Sequence, residues 1–139
     1  MRRSTILSHI PIKTIKMTNA ITWVEIPVTD FERASKFYEA VLQVKIELVP
    51  TPRGKWGMFP HEMGEEGSGG AIVEGDGYEP SKKGSLIYLS GGDDLSVPLS
   101  KVEKVGGEIL LPKTNNGEFG FIAQFADSEG NKIGFYSAD

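Results

Sequence analysis

The chain has 139 residues, and 39% of them are hydrophobic, which suits one domain or two small modules that share a core. Its net charge of −4 gives no basic field for nucleic acid, and no apolar run approaches the roughly 20 residues of a membrane span. The absence of cysteine excludes disulfides and thiolate metal sites, and it fits a reducing compartment. We therefore expect a cytoplasmic protein without nucleic-acid or membrane partners.

The first 16 residues carry basic side chains and no acid, namely Arg2, Arg3, Lys13 and Lys16. The rest of the chain has 11 basic and 19 acidic residues. The apolar segment of this leader, Ile6–Leu7, is too short for a secretory signal. It is either a fragment of a targeting peptide or an upstream extension with Met17 as the working start. We assign residues 1–18 to a basic N-terminal extension and residues 19–139 to the folded domain.

The first module, at about residues 19–80, opens with a strand over Ala20–Val28. Alternation places Val24, Ile26 and Val28 on one face and Trp23, Glu25 and Pro27 on the other. Asp30 stands at a helix N-cap, and apolar residues recur at helical spacing over residues 31–42. Three further apolar stretches predict strands: Lys45–Pro50, Lys55–His61 and Gly69–Gly75.

The second module, at about residues 81–139, repeats this order. It begins with a strand over Gly84–Ser90, after which Asp93 or Asp94 caps a helix. Pro98 lies in the first turn of that helix, and Gly106-Gly107 ends it. Three strands complete the module: Glu108–Lys113, Gly120–Asp127 and Lys132–Ser137. The turn Asp127–Asn131 joins the last two.

The repeated order predicts an α+β fold built from two tandem βαβββ modules. The helix cap and the strand-ending proline are 20 residues apart in the first module (Asp30 to Pro50) and 19 apart in the second (Asp93 to Pro112). A four-stranded sheet with one helix buries only one of its faces, so the other face must meet something. We expect the two free faces to curl into one curved eight-stranded sheet around a cup.

The segments EIPVTDFERASKFYEAVLQV, GGAIVEGDGY and FIAQFADSEGNKIGFYS, in this order, resemble the vicinal oxygen chelate superfamily. This superfamily includes glyoxalase I, bleomycin-resistance proteins and extradiol dioxygenases, and the resemblance covers roughly residues 20–137. The most similar members are small glyoxalase-related proteins. The resemblance implies a cup formed by two paired modules, and often a homodimer.

Metal-dependent members of that superfamily place His, Gln or Glu ligands on the cup face, since a divalent ion needs several converging donors. In this chain Trp23 stands where the first ligand is expected, and Leu86 and Tyr88 stand on the first strand of the second module. Gly134 takes the place of a ligand in the last strand, which leaves Glu74 as the remaining candidate. We therefore expect no metal cofactor.

Polar and aromatic residues on the cup faces are the candidate site. Glu25 is the candidate catalytic residue, as a hydrogen-bond acceptor, general base or anchor for a basic substrate. An alternative is a cup-edge carboxylate paired with Lys or Arg, and the aromatic candidates have the alternative of core filling or a wet rim. The predicted ligand-binding residues are Trp23, Glu25, His61, Tyr88, Gln124 and Tyr136.

The leading functional hypothesis is binding of a small organic molecule in a metal-free cup, with sequestration or acid/base chemistry as the outcome. A second hypothesis is a metal-dependent lyase, isomerase or dioxygenase of the glyoxalase type. A third is a non-catalytic dimeric interaction module with a vestigial cup. The apolar residues Trp56, Met58 and Phe59 at the strand ends favour a homodimer, because one small chain has little with which to cover them.

Overall fold

The computed structural model describes residues 20–61 and 67–139, so the extension assigned to residues 1–18 lies outside the described residues. The first module contains β1 (Trp23–Pro27), α1 (Phe31–Leu42), β2 (Glu47–Thr51), β3 (Gly54–Met58) and β4 (Gly69–Glu74). The second module contains β5 (Ile87–Ser90), α2 (Ser96–Val102), β6 (Glu108–Asn115), β7 (Phe121–Ala126) and β8 (Lys132–Ser137). Short 3-10 turns lie at Glu103–Val105 and Gly117–Phe119. Neither α-helix in this described part is long and apolar enough to cross a membrane.

The helix α1 begins and ends where the sequence predicts. The carboxylate of Asp30 accepts a hydrogen bond from the backbone N–H of Arg33 at 3.1 Å, which satisfies one of the free donors of the first turn. The helix ends at Gln43, whose left-handed backbone (φ 58°) stops the helical path. The apolar stripe of this helix is buried: Phe31, Ala34, Phe37, Tyr38 and Val41.

The strands form two four-stranded sheets with the same order, β1-β4-β3-β2 and β5-β8-β7-β6. In each sheet the first and last strands of the module pair in parallel, and the other neighbours are antiparallel. The α+β fold of two tandem βαβββ modules is therefore confirmed. The eight strands make two sheets within the described chain, in place of the single curved sheet expected from the sequence.

The helix α1 explains the separation, because it packs against both sheets. We call the sheet face that meets the helices the inner face, and the opposite face the outer face. The Tyr38 ring lies edge-on to Phe59 beside the first sheet, with centroids 5.8 Å apart. The Phe37 ring lies 6.1 Å from Phe125 on the inner face of the second sheet. Residues from both inner faces and both helices belong to one buried core, so the outer faces point away from it.

Polar contacts also join the modules. The turn between β7 and β8 reaches the end of β1, where the amide of Asn131 donates to the carbonyl of Pro27 at 2.7 Å. The phenol of Tyr38 donates to the buried carboxylate of Asp127 at 2.6 Å. Burial and the nearby Asp127 charge raise the pKa of Tyr38 well above its usual value, so this phenol remains a donor. These bonds fix the orientation of the two modules.

Candidate functional site

The outer face of the first sheet carries Trp23 and Glu25, as the alternation of β1 predicts. The indole N–H of Trp23 donates to Glu25 Oε2 at 3.1 Å, and 38% of the Trp23 surface is exposed. Glu25 is partly buried. The register places Glu25 beside Ala71, whose small side chain is fully covered. The carboxylate is therefore held against the sheet rather than extended into water.

Three residues that the sequence did not single out for the site complete this cluster. The phenol of Tyr78 donates to Glu25 Oε1 at 2.8 Å, and Arg53 Nη2 donates to the Tyr78 oxygen at 3.0 Å. Trp56 stacks with Trp23, with ring centroids 6.1 Å apart and planes at 24°. Its buried Nε1 has no hydrogen-bond partner among the described residues. The alternation of β3 gives a signal for Trp56, because Gly57 faces the helix and its neighbours must face outward.

The hydrogen bond to Glu25 is the main cause of a raised pKa at Tyr78, and burial adds to it. The phenol therefore keeps its proton and continues to donate to the carboxylate. Tyr78 lies in the loop after β4 and follows the turn that begins at Gly75. No alternation pattern applies to a loop, so the sequence offers no signal that this side chain returns to β1.

The outer face of the second sheet carries Tyr88, Gln124 and Tyr136. The amide of Gln124 donates to the Tyr88 oxygen at 2.8 Å. The Tyr88 ring lies over Gly134, where a Cβ would come within 2.4 Å of the ring. Tyr136 lies on the same face, two residues further along β8, and is 43% exposed. Three of the predicted ligand-binding residues thus share one surface.

His61 is exposed at the end of the described segment that follows β3. Both His61 and Trp23 lie next to Gly69. A Cβ placed on Gly69 would be 3.4 Å from Cδ2 of His61 and 3.0 Å from Cζ3 of Trp23. His61 therefore stands beside the Trp23 group. The structure does not bring this group together with Tyr88 and Gln124 within one chain, because the two sets lie on outer faces that point away from a common core.

The residues at the expected metal-ligand places do not fit a metal ion. Trp23 carries no free lone pair for coordination, and the Tyr88 ring fills the space above Gly134. Glu74 instead accepts a hydrogen bond from the backbone N–H of Phe31 at 2.8 Å, at the start of α1. Among the described residues, no three His, Asp or Glu side chains are grouped to hold an ion.

A large cleft in the described part of the chain lies elsewhere. It has a volume of about 1090 Å³ and lies between the end of α1 and the inner sides of β1 and β5, with Val24, Leu42, Ile87 and Val97 among its lining residues. Its lining is mainly apolar, and of the six predicted ligand-binding residues it includes only Tyr88. The polar side chains suited to orient a ligand lie on the outer faces, so we take these faces as the candidate site.

Comparison with known proteins gives one family match and many structural matches. Residues 20–47 match the family model described as bleomycin resistance protein-like N-terminal. A mutant of glyoxalase I from Zea mays is 24% identical with a TM-score of 0.65, over 84% of this chain and 45% of that one. A glyoxalase/bleomycin resistance protein from Streptomyces sp. CB03234 is 27% identical with a TM-score of 0.58, over 84% and 98%. TnmS3, an antibiotic binding protein from Streptomyces sp. CB03234, is 22% identical with a TM-score of 0.61, over 89% and 100%.

These matches define the class of fold: paired βαβββ modules of the glyoxalase/bleomycin-resistance type. The likeness to these structures concerns the fold, and it agrees with the resemblance to the vicinal oxygen chelate superfamily that the sequence shows. It spans a little under half the length of the maize glyoxalase I chain. No curated protein sequence shows significant similarity to it.

Proposed function

We propose that the protein binds a small organic molecule on its outer sheet faces, in a metal-free cup that a second copy of the chain completes. The observation that carries this proposal is the pair of polar and aromatic groups on those faces, Trp23 with Glu25 and Tyr88 with Gln124. Outer faces of this composition differ from ordinary solvated faces, because large rings there cover and hold polar atoms. The antibiotic-binding and glyoxalase descriptions of structurally similar proteins agree with this function.

The position of the two groups supports the homodimer. The strands β1 and β5, which carry Glu25 and Tyr88, are edge strands of their sheets. Edge strands present unpaired backbone groups that can pair with another chain. Pairing of β1 with β5 of a second copy would join the sheets into one of eight strands. It would also bring the Glu25 group of one chain beside the Tyr88 group of the other.

Sedimentation tests the dimer. We expect the wild-type chain at tens of micromolar to have twice its 15.2 kDa mass. Leu86→Asp puts a charge on an exposed residue immediately before β5 and should give a monomer. Leu110→Asp is the matched control, since Leu110 is similarly exposed but lies on the β6 edge, and it should remain dimeric. A monomeric wild-type protein at this concentration would contradict the completed cup.

Thermal stabilisation by a panel of small aromatic and polar compounds tests binding. Compounds that raise the melting temperature of the wild-type protein should do so less in Glu25→Gln. The expected loss is roughly 1.5–3 kcal/mol of binding free energy, which is typical for a hydrogen bond to a charged group. Equal stabilisation of wild type, Glu25→Gln and Gln124→Leu by every active compound would place binding away from the outer faces and refute the proposal.

A further inference from the structure

The corner of the first outer face formed by Trp23, Glu25, Trp56 and Tyr78 is here called the aromatic corner. It carries a charge that has no ion-pair partner among the described residues. Both oxygens of Glu25 accept hydrogen bonds from neutral donors, the indole of Trp23 and the phenol of Tyr78. Among the described residues, the ion pairs within 4.0 Å are Arg33 with Glu129, Lys55 with Glu32 and Lys113 with Asp94, so Glu25 has no cationic partner. A partly buried carboxylate in this setting favours a counter-charge.

The rings of the aromatic corner attract positive charge as well. The π-face of an aromatic ring is electronegative, and it attracts a cation that lies within about 6 Å of its centre. The guanidinium of Arg53 already lies 5.7 Å from the centre of the Tyr78 ring. Arg53 donates to the Tyr78 oxygen rather than to Glu25, so its charge leaves the carboxylate unpaired. The stacked indoles of Trp23 and Trp56 remain as the neighbouring surface.

We infer that the aromatic corner binds an organic cation, such as an alkylammonium group carried on an aromatic ligand. The ammonium group would lie against Glu25, and the flat part of the ligand would contact the indole surface of Trp23. Glu25 keeps both of its present hydrogen bonds in this arrangement, because each carboxylate oxygen can accept a second bond. This assignment rests on the proposed function and adds the charge class of the ligand.

The chain contains only two tryptophans, Trp23 and Trp56, and both lie in the aromatic corner. Tryptophan fluorescence therefore reports directly on this site. Three probes with one ring and different charge are titrated into the full-length protein at constant ionic strength: benzyltrimethylammonium, benzyl alcohol and benzylsulfonate. We expect the cation to change the fluorescence with a dissociation constant at least tenfold lower than that of benzyl alcohol, and the sulfonate to bind weakest.

Two matched carboxylate variants locate the effect. Glu25→Gln should remove the tenfold preference for the cation, because it removes the charge and preserves the size of the side chain. Glu47→Gln should retain the preference, since Glu47 is an exposed carboxylate on the same face, at the far edge in β2. The three-probe comparison in the wild-type protein needs no variant, so it holds even where a substitution disturbs folding.

Four results would overturn the inference. They are equal binding of benzyl alcohol and the cation, preference for the sulfonate, an unchanged preference in Glu25→Gln, and no fluorescence response to any probe at about 50 mM, far above the millimolar range of weak complexes. The proposed function fails differently, through a monomeric wild-type protein or compound binding that ignores Glu25 and Gln124. A neutral ligand that binds in a Glu25- and Gln124-dependent way would refute the inference of a cationic ligand, but it would still support binding on the outer faces.

Discussion

Glu129 offers the sharpest test of how the two modules are held together. Its side chain is fully shielded from solvent, and it lies in the turn between β7 and β8 of the second module. Oε1 accepts from the backbone N–H groups of Thr29 and Asp30 at 3.0 Å and 2.9 Å. Oε2 lies 2.7 Å from Nε of Arg33. All three donors belong to the first module, and they surround the carboxylate only in the folded chain. Glu129→Gln therefore removes a charge that stabilises the folded state.

The pKa of Glu129 gives the size of its contribution to the folding free energy. Burial of the carboxylate acts to raise this pKa, but the hydrogen bonds from Arg33, Asp30 and Thr29 together outweigh burial and lower the pKa to about 2 from its usual 4.5. A difference of about 2.5 pKa units corresponds to about 3 kcal/mol of folding free energy. The guanidinium of Arg33 is half exposed and screened by water, so we expect Glu129→Gln to lose about 2 kcal/mol at pH 7.

The pH dependence has a definite sign. The folded-state pKa of Glu129 lies below its unfolded value, so the stabilisation is present above about pH 4.5 and is lost as the pH falls towards about 2. Urea denaturation of wild type and Glu129→Gln, at pH 7 and at steps down to pH 2, should therefore show a gap that closes in this window. Hydrogen bonds to Lys113 and Ser96 also lower the pKa of Asp94 to about 2. Asp94 therefore adds the same pH dependence to the stability of both proteins.

Glu118→Gln serves as the control, because Glu118 is an exposed carboxylate on the same module. Its stability should lie within about 0.5 kcal/mol of the wild type. A loss below 0.5 kcal/mol in Glu129→Gln at pH 7, or a gap that stays constant down to pH 2, would refute the reasoning.

Two further substitutions test the core. Tyr38→Phe removes the phenol that donates to the buried carboxylate of Asp127 at 2.6 Å, and we expect a loss of roughly 1–3 kcal/mol in urea denaturation; an unchanged midpoint would show that the bond contributes little. Gly57→Ala places a Cβ 2.7 Å from side-chain carbons of Ile46 and Ile72, and this overpacking should cost about 1–3 kcal/mol. A neutral or stabilising effect of the added methyl group would contradict the close packing of α1 on the first sheet.

Local patterns in the sequence predicted most of the fold. The helix over residues 31–42, its cap at Asp30 and the stop at Gly106 are all present in the structure. These features depend on side chains a few residues apart, so a single chain segment contains the whole cause. The order of helices and strands along the chain was also predicted, because the two modules repeat the same sequence of apolar stretches.

The arrangement of the modules could not be predicted in the same way. The prediction of a single eight-stranded sheet assumed that each helix covers only its own sheet. In the structure, Phe37 and Tyr38 of α1 reach the second module as well. Adjacent large residues on a helix point in directions about 100° apart, so together they make an apolar stripe wide enough for two surfaces. That width was visible in the sequence, but the second surface comes from residues some 90 positions further along the chain.

Glu25 has hydrogen-bond partners in the structure that differ from those expected from the sequence, and this difference bears directly on the proposed function. From the sequence, Glu25 was expected to act on a ligand as an acceptor, general base or anchor, or to pair with Lys or Arg at the edge of the cup. In the structure Trp23 and Tyr78 donate hydrogen bonds to it, the second from a loop 53 residues away. The chain thereby fixes the position of the carboxylate before any ligand arrives, which lowers the ordering cost of binding. The two donors are neutral, so they satisfy the hydrogen-bonding needs of the carboxylate but do not compensate its negative charge. A ligand at this site therefore gains most by bringing a positive charge to a carboxylate that is already oriented.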